Sequence, residues 1–210
     1  MRGDRAAKKG PKKSRYGQLR RRRRRGAVLL VVLLLALSAL PFLLKAPETV
    51  RRITHPLEYE ETIRAAAAEY NVEPTLVAAV IRTESRFDPE VESPQGAYGL
   101  MQIRPETARF ISERGGMGSD YRYPKTNIRM GTWYLGYLHY RYDSDERLVL
   151  AAYNSGEGQV DNWISDEGFD VAHDIPFEET RNYVEDVLEA RDTYAELYGK
   201  NLDRRSDAGY

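Results

Sequence analysis

Pro74-Thr-Leu-Val-Ala-Ala-Val-Ile-Arg-Thr-Glu84-Ser-Arg-Phe87 is the stretch that decides the fold, because it ends an apolar helix on a carboxylate. Proline suits the first helical position, where its missing N–H has no partner to lose. Val77, Val80 and Ile81 precede Glu84 by seven, four and three residues, so this spacing puts them on the face that Glu84 continues. Phe87, three residues on, extends the stripe in this reading. A carboxylate on such a face loses hydration and also sits near the negative end of the helix dipole. Both effects favour the protonated acid, the state a general acid needs near neutral pH. The position equally suits a partly buried glutamate satisfied by an arginine or a backbone amide, since structural pairs also perturb carboxyl groups.

Beyond Glu84 the chain reads Ser-Arg-Phe-Asp88-Pro-Glu90-Val-Glu92-Ser93-Pro-Gln-Gly96-Ala-Tyr-Gly99-Leu-Met101-Gln102-Ile. Asp88-Pro89 predicts the helix stop, because the residue before proline is pushed out of the α region. Ser93-Pro94 with Gly96 and Gly99 predicts a turn-rich loop, and loops beside a rigid helix are where substrate contacts concentrate. Further blocks follow in order: Pro105-Glu-Thr107-Ala, Asn127-Ile-Arg-Met-Gly-Thr-Trp-Tyr-Leu135, Ala151-Ala-Tyr153-Asn154-Ser-Gly156 and Ile175-Pro-Phe-Glu-Glu179-Thr-Arg-Asn-Tyr183-Val. Together they resemble the lytic transglycosylases of the soluble-lytic-transglycosylase type, over roughly residues 58 to 190.

That resemblance implies a mainly α, lysozyme-like (α+β) catalytic domain and a specific chemistry. Glycosidases ordinarily use two carboxylates, whereas a single acid suffices when the substrate supplies its own nucleophile. Asp88, Glu90 and Glu92 fall in the loop and read as solvated, so Glu84 alone combines motif and burial pattern. The resemblance makes Glu84 the single acid/base that cleaves the bond between N-acetylmuramic acid and N-acetylglucosamine, closing a 1,6-anhydro ring without water. It also implies substrate-binding roles for Ser93, Gly99, Met101, Gln102, Thr107, Tyr153, Asn154 and Tyr183. Ser93 and Gln102 would line the cleft, Gly99 would allow close backbone approach, and Met101 would pack under a sugar. Tyr183 would hydrogen-bond Glu84, with Glu179 one helical turn earlier on the same face. Met101 and Tyr153 also suit a core role, Ser93 and Thr107 also suit caps, and Glu179 reads as structural.

Charge is distributed very unevenly for a chain of 210 residues with net charge zero. Residues 1–26 carry thirteen Lys/Arg against one acid, Asp4, and the remainder is acidic by the same margin of twelve. Between them Ala27 to Leu44 runs without a charge. At ~1.5 Å rise per residue that run covers most of a ~30 Å hydrocarbon core. Arg20 to Arg25 abut it, which predicts a transmembrane signal anchor with a cytoplasmic N-terminus and an extracytoplasmic remainder. A cleaved signal peptide, with Ala36-Leu-Ser38 as its small-residue site, is the other reading. The expected organisation is therefore a basic tail over 1–26, a span over 27–44, a linker over 45–56, the catalytic domain over 57–198 and a polar tail over 199–210.

A flexible basic arm beside a membrane span is an orientation signal that attracts anionic lipid, and the acidic remainder offers no basic patch, so no nucleic-acid partner is expected. Cysteine is absent, which removes disulfides and thiolate metal sites. His55, His139 and His173 share no ligand spacing, so neither metal nor cofactor is expected.

Helices are predicted over Leu57–Tyr70 with Asn71 as left-handed cap, from Pro74 to Asp88-Pro89, and from Pro105 to about Arg114. More are predicted from an Asn127 N-cap to Tyr142, over Asp145–Tyr153, around Gln159–Ile164, and from Pro176 to Tyr198. A small β element near Gly99–Ile103 completes the pattern. Trp133, Tyr134, Tyr137 and Tyr140 lie at helical spacing and read mostly as core, with one ring as a sugar platform. Three functions fit: a lytic transglycosylase, a goose-lysozyme-like muramidase that delivers water instead, and a glycan-binding module without catalysis. Wording such as Gly-Leu-Met-Gln followed by Ala-Tyr-Asn-Ser-Gly favours the first.

Overall fold

A computed structural model describes residues 48–118 and 120–202. The basic tail, the expected span over 27–44 and residues 203–210 lie outside the described residues. Among the described residues no helix is long and apolar enough to cross a membrane. The chain divides into two units, residues 1–50 and 51–210, and of the first only the helical residues 48–50 are described.

The second unit is built from α1 (Glu60–Tyr70), α2 (Pro74–Ser85), α3 (Pro105–Gly115), α4 (Pro124–Arg141), α5 (Glu146–Ser155), α6 (Glu157–Ile164) and α7 (Glu178–Leu202). Its centre is α2, which packs along α7 and also against α1; α4 packs on α1 and α5, and α5 on α6 and α7. From Leu76 to Ile81 every residue of α2 is at most 1 % exposed. The expected apolar stripe is thus a helix buried all round, which is why Ala78 and Ala79 face neighbours at close range instead of water. Beyond Ile81, at Arg82, Thr83 and Glu84, α2 becomes half-buried.

Helix ends follow local chemistry. Asn71 caps α1 in the left-handed conformation (φ 55°), as its short polar side chain allows. Pro74, Pro105 and Pro124 each open a helix. The Asp145 carboxylate accepts from the amides of Arg147 and Leu148 at the start of α5.

Three expectations are corrected. Helix α2 stops before Asp88-Pro89, because Arg86 and Phe87 are both left-handed (φ 54° and 67°). Phe87 therefore leaves the helix and buries its ring beside Tyr194 on α7. Asn127 is not an N-cap: α4 starts at Pro124, and Asn127 is completely buried within it. The β element reduces to isolated bridges, Glu92 with Tyr98 and Tyr98 with Ile103. No longer ladder forms because Gly99 (φ 79°) and Gln102 (φ 47°) turn the chain between them.

Ahead of α1, the segment 51–56 is fastened to α7. The Arg51 guanidinium forms a two-pronged pair with Glu196, Tyr194 donates to the Pro56 carbonyl at 2.7 Å, and Tyr198 donates to the His55 carbonyl at 3.0 Å.

Candidate active site

Glu84 occupies the last turn but for one residue of α2, where the buried helix meets the loop 86–104. Its Oε1 accepts a hydrogen bond of 2.7 Å from the hydroxyl of Tyr183, which stands on α7. The residue keeps intermediate exposure, yet protein atoms crowd the carboxyl, and burial pushes its pKa up to about 7. The Tyr183 bond works against that rise, since it favours the ionised form. Among the described residues no carboxylate contributes to the shift. A group poised near neutrality can give a proton and take one back, as general acid/base chemistry requires.

Two tyrosines flank it. Burial, and next the charge of Glu84, raise the pKa of both Tyr153 and Tyr183 well above its usual value. Both are therefore neutral hydrogen-bond donors across the physiological range. The Tyr153 hydroxyl donates to the Met101 carbonyl at 2.9 Å, and its ring lies 5.6 Å from that of Tyr134.

The loop after α2 is held by side chains from three helices. Ser85, next to Glu84, lies with its hydroxyl 2.9 Å from the Leu100 carbonyl and 3.0 Å from that of Ile81, sharing one proton between them. The Oδ1 of Asn127 on α4 accepts from the Met101 amide at 2.7 Å, and its Nδ2 donates to the carbonyls of Tyr98 and Tyr121 at 2.9 and 2.8 Å. Tyr153 on α5 holds the Met101 carbonyl.

The expected contact residues fall into distinct groups. Tyr153 and Tyr183 surround Glu84. Gln102 donates from Nε2 to the carbonyls of Val91 and Gly99, at 3.0 and 2.9 Å. Two carbonyl acceptors fix which end is the NH₂, leaving the Gln102 carbonyl oxygen for other partners. The Ser93 hydroxyl accepts from the Ala97 amide at 3.0 Å, a turn-stabilising bond. Gly99 is buried with positive φ, and a Cβ there would lie 2.8 Å from Nδ2 of Asn127, so its close approach is to that amide. Met101 is 0 % exposed, and a Cβ on Gly131 would collide with its sulfur. Its side chain therefore packs the core and cannot lie under a sugar; only its backbone takes part in the site. Thr107 is half-buried in the first turn of α3. The side-chain Oδ1 of Asn154 accepts from the Thr180 hydroxyl at 2.8 Å, tying α5 to the start of α7. Glu179 is exposed in the first turn of α7.

Two positions that hold the loop beside Glu84 are not singled out by the sequence reading. Ser85 was overshadowed by Glu84, although a serine closing an apolar helix beside a carboxylate was visible. Asn127 looked like a cap because asparagine near a helix start has that local meaning; only its burial reveals otherwise.

The aromatic set is mostly packed. Trp133 and Tyr137 stack at 5.7 Å, Phe110 meets both edge-on, and Tyr140 alone is largely exposed. A groove of about 490 Å³ beside them, lined by Glu69, Tyr70, Met117, Arg129 and Trp133, contains none of the residues around Glu84. Among the described residues no group of three or more His, Asp or Glu could hold a metal ion.

The domain is thus mainly helical, with a buried helix that carries one near-neutral carboxyl at its end, beside a tyrosine donor and a glycine-turned loop. Residues 61–174 match the family described as Transglycosylase SLT domain, more than half of the sequence, and the chain belongs to that family. It is 34% identical over 164 residues to a soluble lytic murein transglycosylase of Salmonella typhimurium, covering 73% of this chain and 25% of that protein. It is 31% identical over 169 residues to membrane-bound lytic murein transglycosylase C of Actinobacillus pleuropneumoniae, covering 67% of this chain and 46% of that one. Among solved structures, an inactive Glu-to-Gln mutant of the lytic transglycosylase Slt from Pseudomonas aeruginosa superposes with TM-score 0.66 at 33% identity, covering 70% of this chain and 25% of that chain. The chain thus spans between a quarter and a half of the length of these relatives.

Proposed function

We propose that this protein is a peptidoglycan lytic transglycosylase in which Glu84 serves as both acid and base. The observation that carries the reading is the burial-raised Glu84 carboxyl, poised near pH 7 with Tyr183 as its hydrogen-bond donor and no carboxylate partner among the described residues. Family membership supports the substrate class, and the neighbouring transglycosylase described as an inactive Glu-to-Gln mutant supports the single-acid logic.

In the proposed sequence, protonated Glu84 gives its proton to the oxygen between N-acetylmuramic acid and N-acetylglucosamine, and the C1–oxygen bond breaks. The carbonyl oxygen of the 2-acetamido group supports the developing positive charge at C1, the role a second carboxylate fills in other glycosidases. Glu84, now ionised and steadied by Tyr183, removes the proton from the C6 hydroxyl. The C6 oxygen closes on C1 to form the 1,6-anhydro ring, and Glu84 is again protonated. Water is neither consumed nor released. Gln102, Thr107 and Asn154 are the proposed sugar contacts, with Ser93 and Gly99 shaping the loop.

Residues 27–44 are proposed as a membrane anchor that leaves residues 45–210 on the extracytoplasmic side, supported by the uncharged run after Arg20 to Arg25. The membrane-bound relative is consistent with that placement. Protease digestion of intact spheroplasts tests it: cleavage of the domain supports the anchor, and full protection overturns it.

Mass spectrometry of soluble fragments released from purified peptidoglycan, with Glu84→Gln alongside, tests the activity. Fragments ending in 1,6-anhydromuramic acid, absent with the variant, are the expected result. Reducing ends would make the protein a hydrolase, and equal release by the variant would remove Glu84 from the mechanism.

A further inference from the structure

We propose that Asn127 is a positioning residue for this reaction, fixing the Gly99–Gln102 backbone relative to Glu84; the proposal rests on Glu84 as the acid/base. The peptide joining Leu100 to Met101 is gripped at both ends. Its carbonyl takes the hydroxyl of Ser85, and its amide gives to Oδ1 of Asn127 at 2.7 Å. The following carbonyl, that of Met101, takes the hydroxyl of Tyr153. Ser85 adjoins Glu84 in sequence, and Tyr153 lies close enough for the Glu84 charge to perturb it. Two anchors therefore belong to the surroundings of Glu84, while the third comes from α4.

The third anchor demands a carboxamide. Asn127 accepts once and donates twice, to Tyr98 and Tyr121 carbonyls, and it is 0 % exposed. A carboxylate of the same shape would turn an oxygen toward both carbonyls, and a hydroxyl has one proton for two acceptors. Leucine would fill the volume but leave the Met101 amide and the Tyr121 carbonyl without these partners, while the Tyr98 carbonyl would keep only the Ile103 amide. Core packing alone gives no reason for asparagine here; the loop geometry does.

Gly99 fits the same amide from the other side. With φ 79° it is in the left-handed region, and a Cβ would stand 2.8 Å from Nδ2 and 3.1 Å from Cγ of Asn127. The carbonyl of Gly99 also holds Nε2 of Gln102. Moving Asn127 therefore shifts the frame that carries Gln102 against Glu84. Because it acts on the relative placement of loop and acid, the loss belongs in the saturated rate more than in substrate capture.

The test uses the full chain as wild type, Asn127→Ala, Gly99→Ala and the double variant. Fragment release from purified peptidoglycan is followed at limiting and saturating substrate, with near-ultraviolet circular dichroism recording the folded state at assay temperature. Asn127→Ala is expected to stay folded and lose about 10- to 100-fold in saturated rate, the scale of a misplacement near 1 Å. Gly99→Ala should cost less in the Asn127→Ala background than alone, since the amide its methyl would meet is gone. A folded Asn127→Ala within about twofold of wild type at saturation, or strictly additive effects, overturns the proposal. Should Asn127→Ala fail to fold, Asn127→Ser and Gly99→Ala are judged by the same criteria. If wild type itself releases nothing, the activity reading fails separately. Hydrogen exchange at the Met101 amide then decides the loop claim: at least tenfold faster in the folded variant supports it, and unchanged exchange overturns it.

Discussion

The Tyr183 hydroxyl reaches Oε1 of Glu84 at 2.7 Å across 99 positions of sequence, joining the end of α2 to α7. Burial makes the Glu84 carboxyl a better acid-holder at neutral pH, and the tyrosine restrains that effect by stabilising the ionised form. The balance leaves one group able to act in both directions of proton transfer. It also means that the helix pair with the most extensive packing in the domain, α2 with α7, is the pair that tunes the acid.

Activity should fall as pH rises through about 7, because the proposed first step needs protonated Glu84. A pH–rate profile of fragment release checks this. An alkaline limb near pH 5 would show that burial does not raise the carboxyl in solution.

Tyr183→Phe should move that limb upward by about one pH unit. The variant removes a donor to a charged group, worth about 1.5–3 kcal/mol, while burial persists. Its rate at pH 6 should fall far less than that of Glu84→Gln, for which a ~10²–10⁴-fold loss is expected. A limb that stays in place would mean that the Tyr183 bond does not favour the ionised form.

Glu84→Gln should stabilise the fold at alkaline pH. The folded group binds its proton up to about pH 7, whereas a solvated glutamate gives it up near its ordinary value of 4.5. Between those values the unfolded chain ionises first, so wild-type stability declines as pH rises through that window and is lower above it. The full cost is on the order of 3 kcal/mol. Thermal unfolding of both proteins at pH 4 and pH 8 measures it: equal at the lower pH, the variant higher at the upper.

Asp145→Ala should cost about 1 kcal/mol of stability, the usual value of an N-cap. It removes the acceptor for the amides of Arg147 and Leu148, on the far end of α5 from Tyr153. Urea unfolding should show a lower midpoint with unchanged slope, while fragment release persists.

Gly131→Ala should destabilise by about 1–3 kcal/mol, since its methyl would enter the space of the fully buried Met101 side chain. A neutral result in the same unfolding assay would show that Met101 has room to retreat.

Much of this fold was legible because short-range chemistry decided it. Pro74 and Pro105 open helices for reasons confined to their own rings, and Asn71 closes one through its tolerance of positive φ. The end of α2 was not legible, because Asp88-Pro89 forbids a helix there without requiring one up to it. Phe87 leaves early to pack on Tyr194, which no neighbour in sequence announces.

Within the site the same division holds. Spacing alone marked Glu84 as a carboxylate among apolar neighbours, since helical periodicity is local. The fates of Met101 and Asn127 were set by what α4 brings against them. Met101 meets Gly131 and turns into the core, and Asn127 finds backbone polar groups of a loop and leaves its expected role as a cap. By itself the sequence determined the starts that Pro74 and Pro105 set, which carboxylate is set apart and where a turn-rich loop follows. Tertiary structure alone decided how far burial raises the Glu84 carboxyl, the 2.7 Å geometry of its Tyr183 bond and the three-point grip on the loop, because desolvation and hydrogen bonding depend on atoms far apart in the chain.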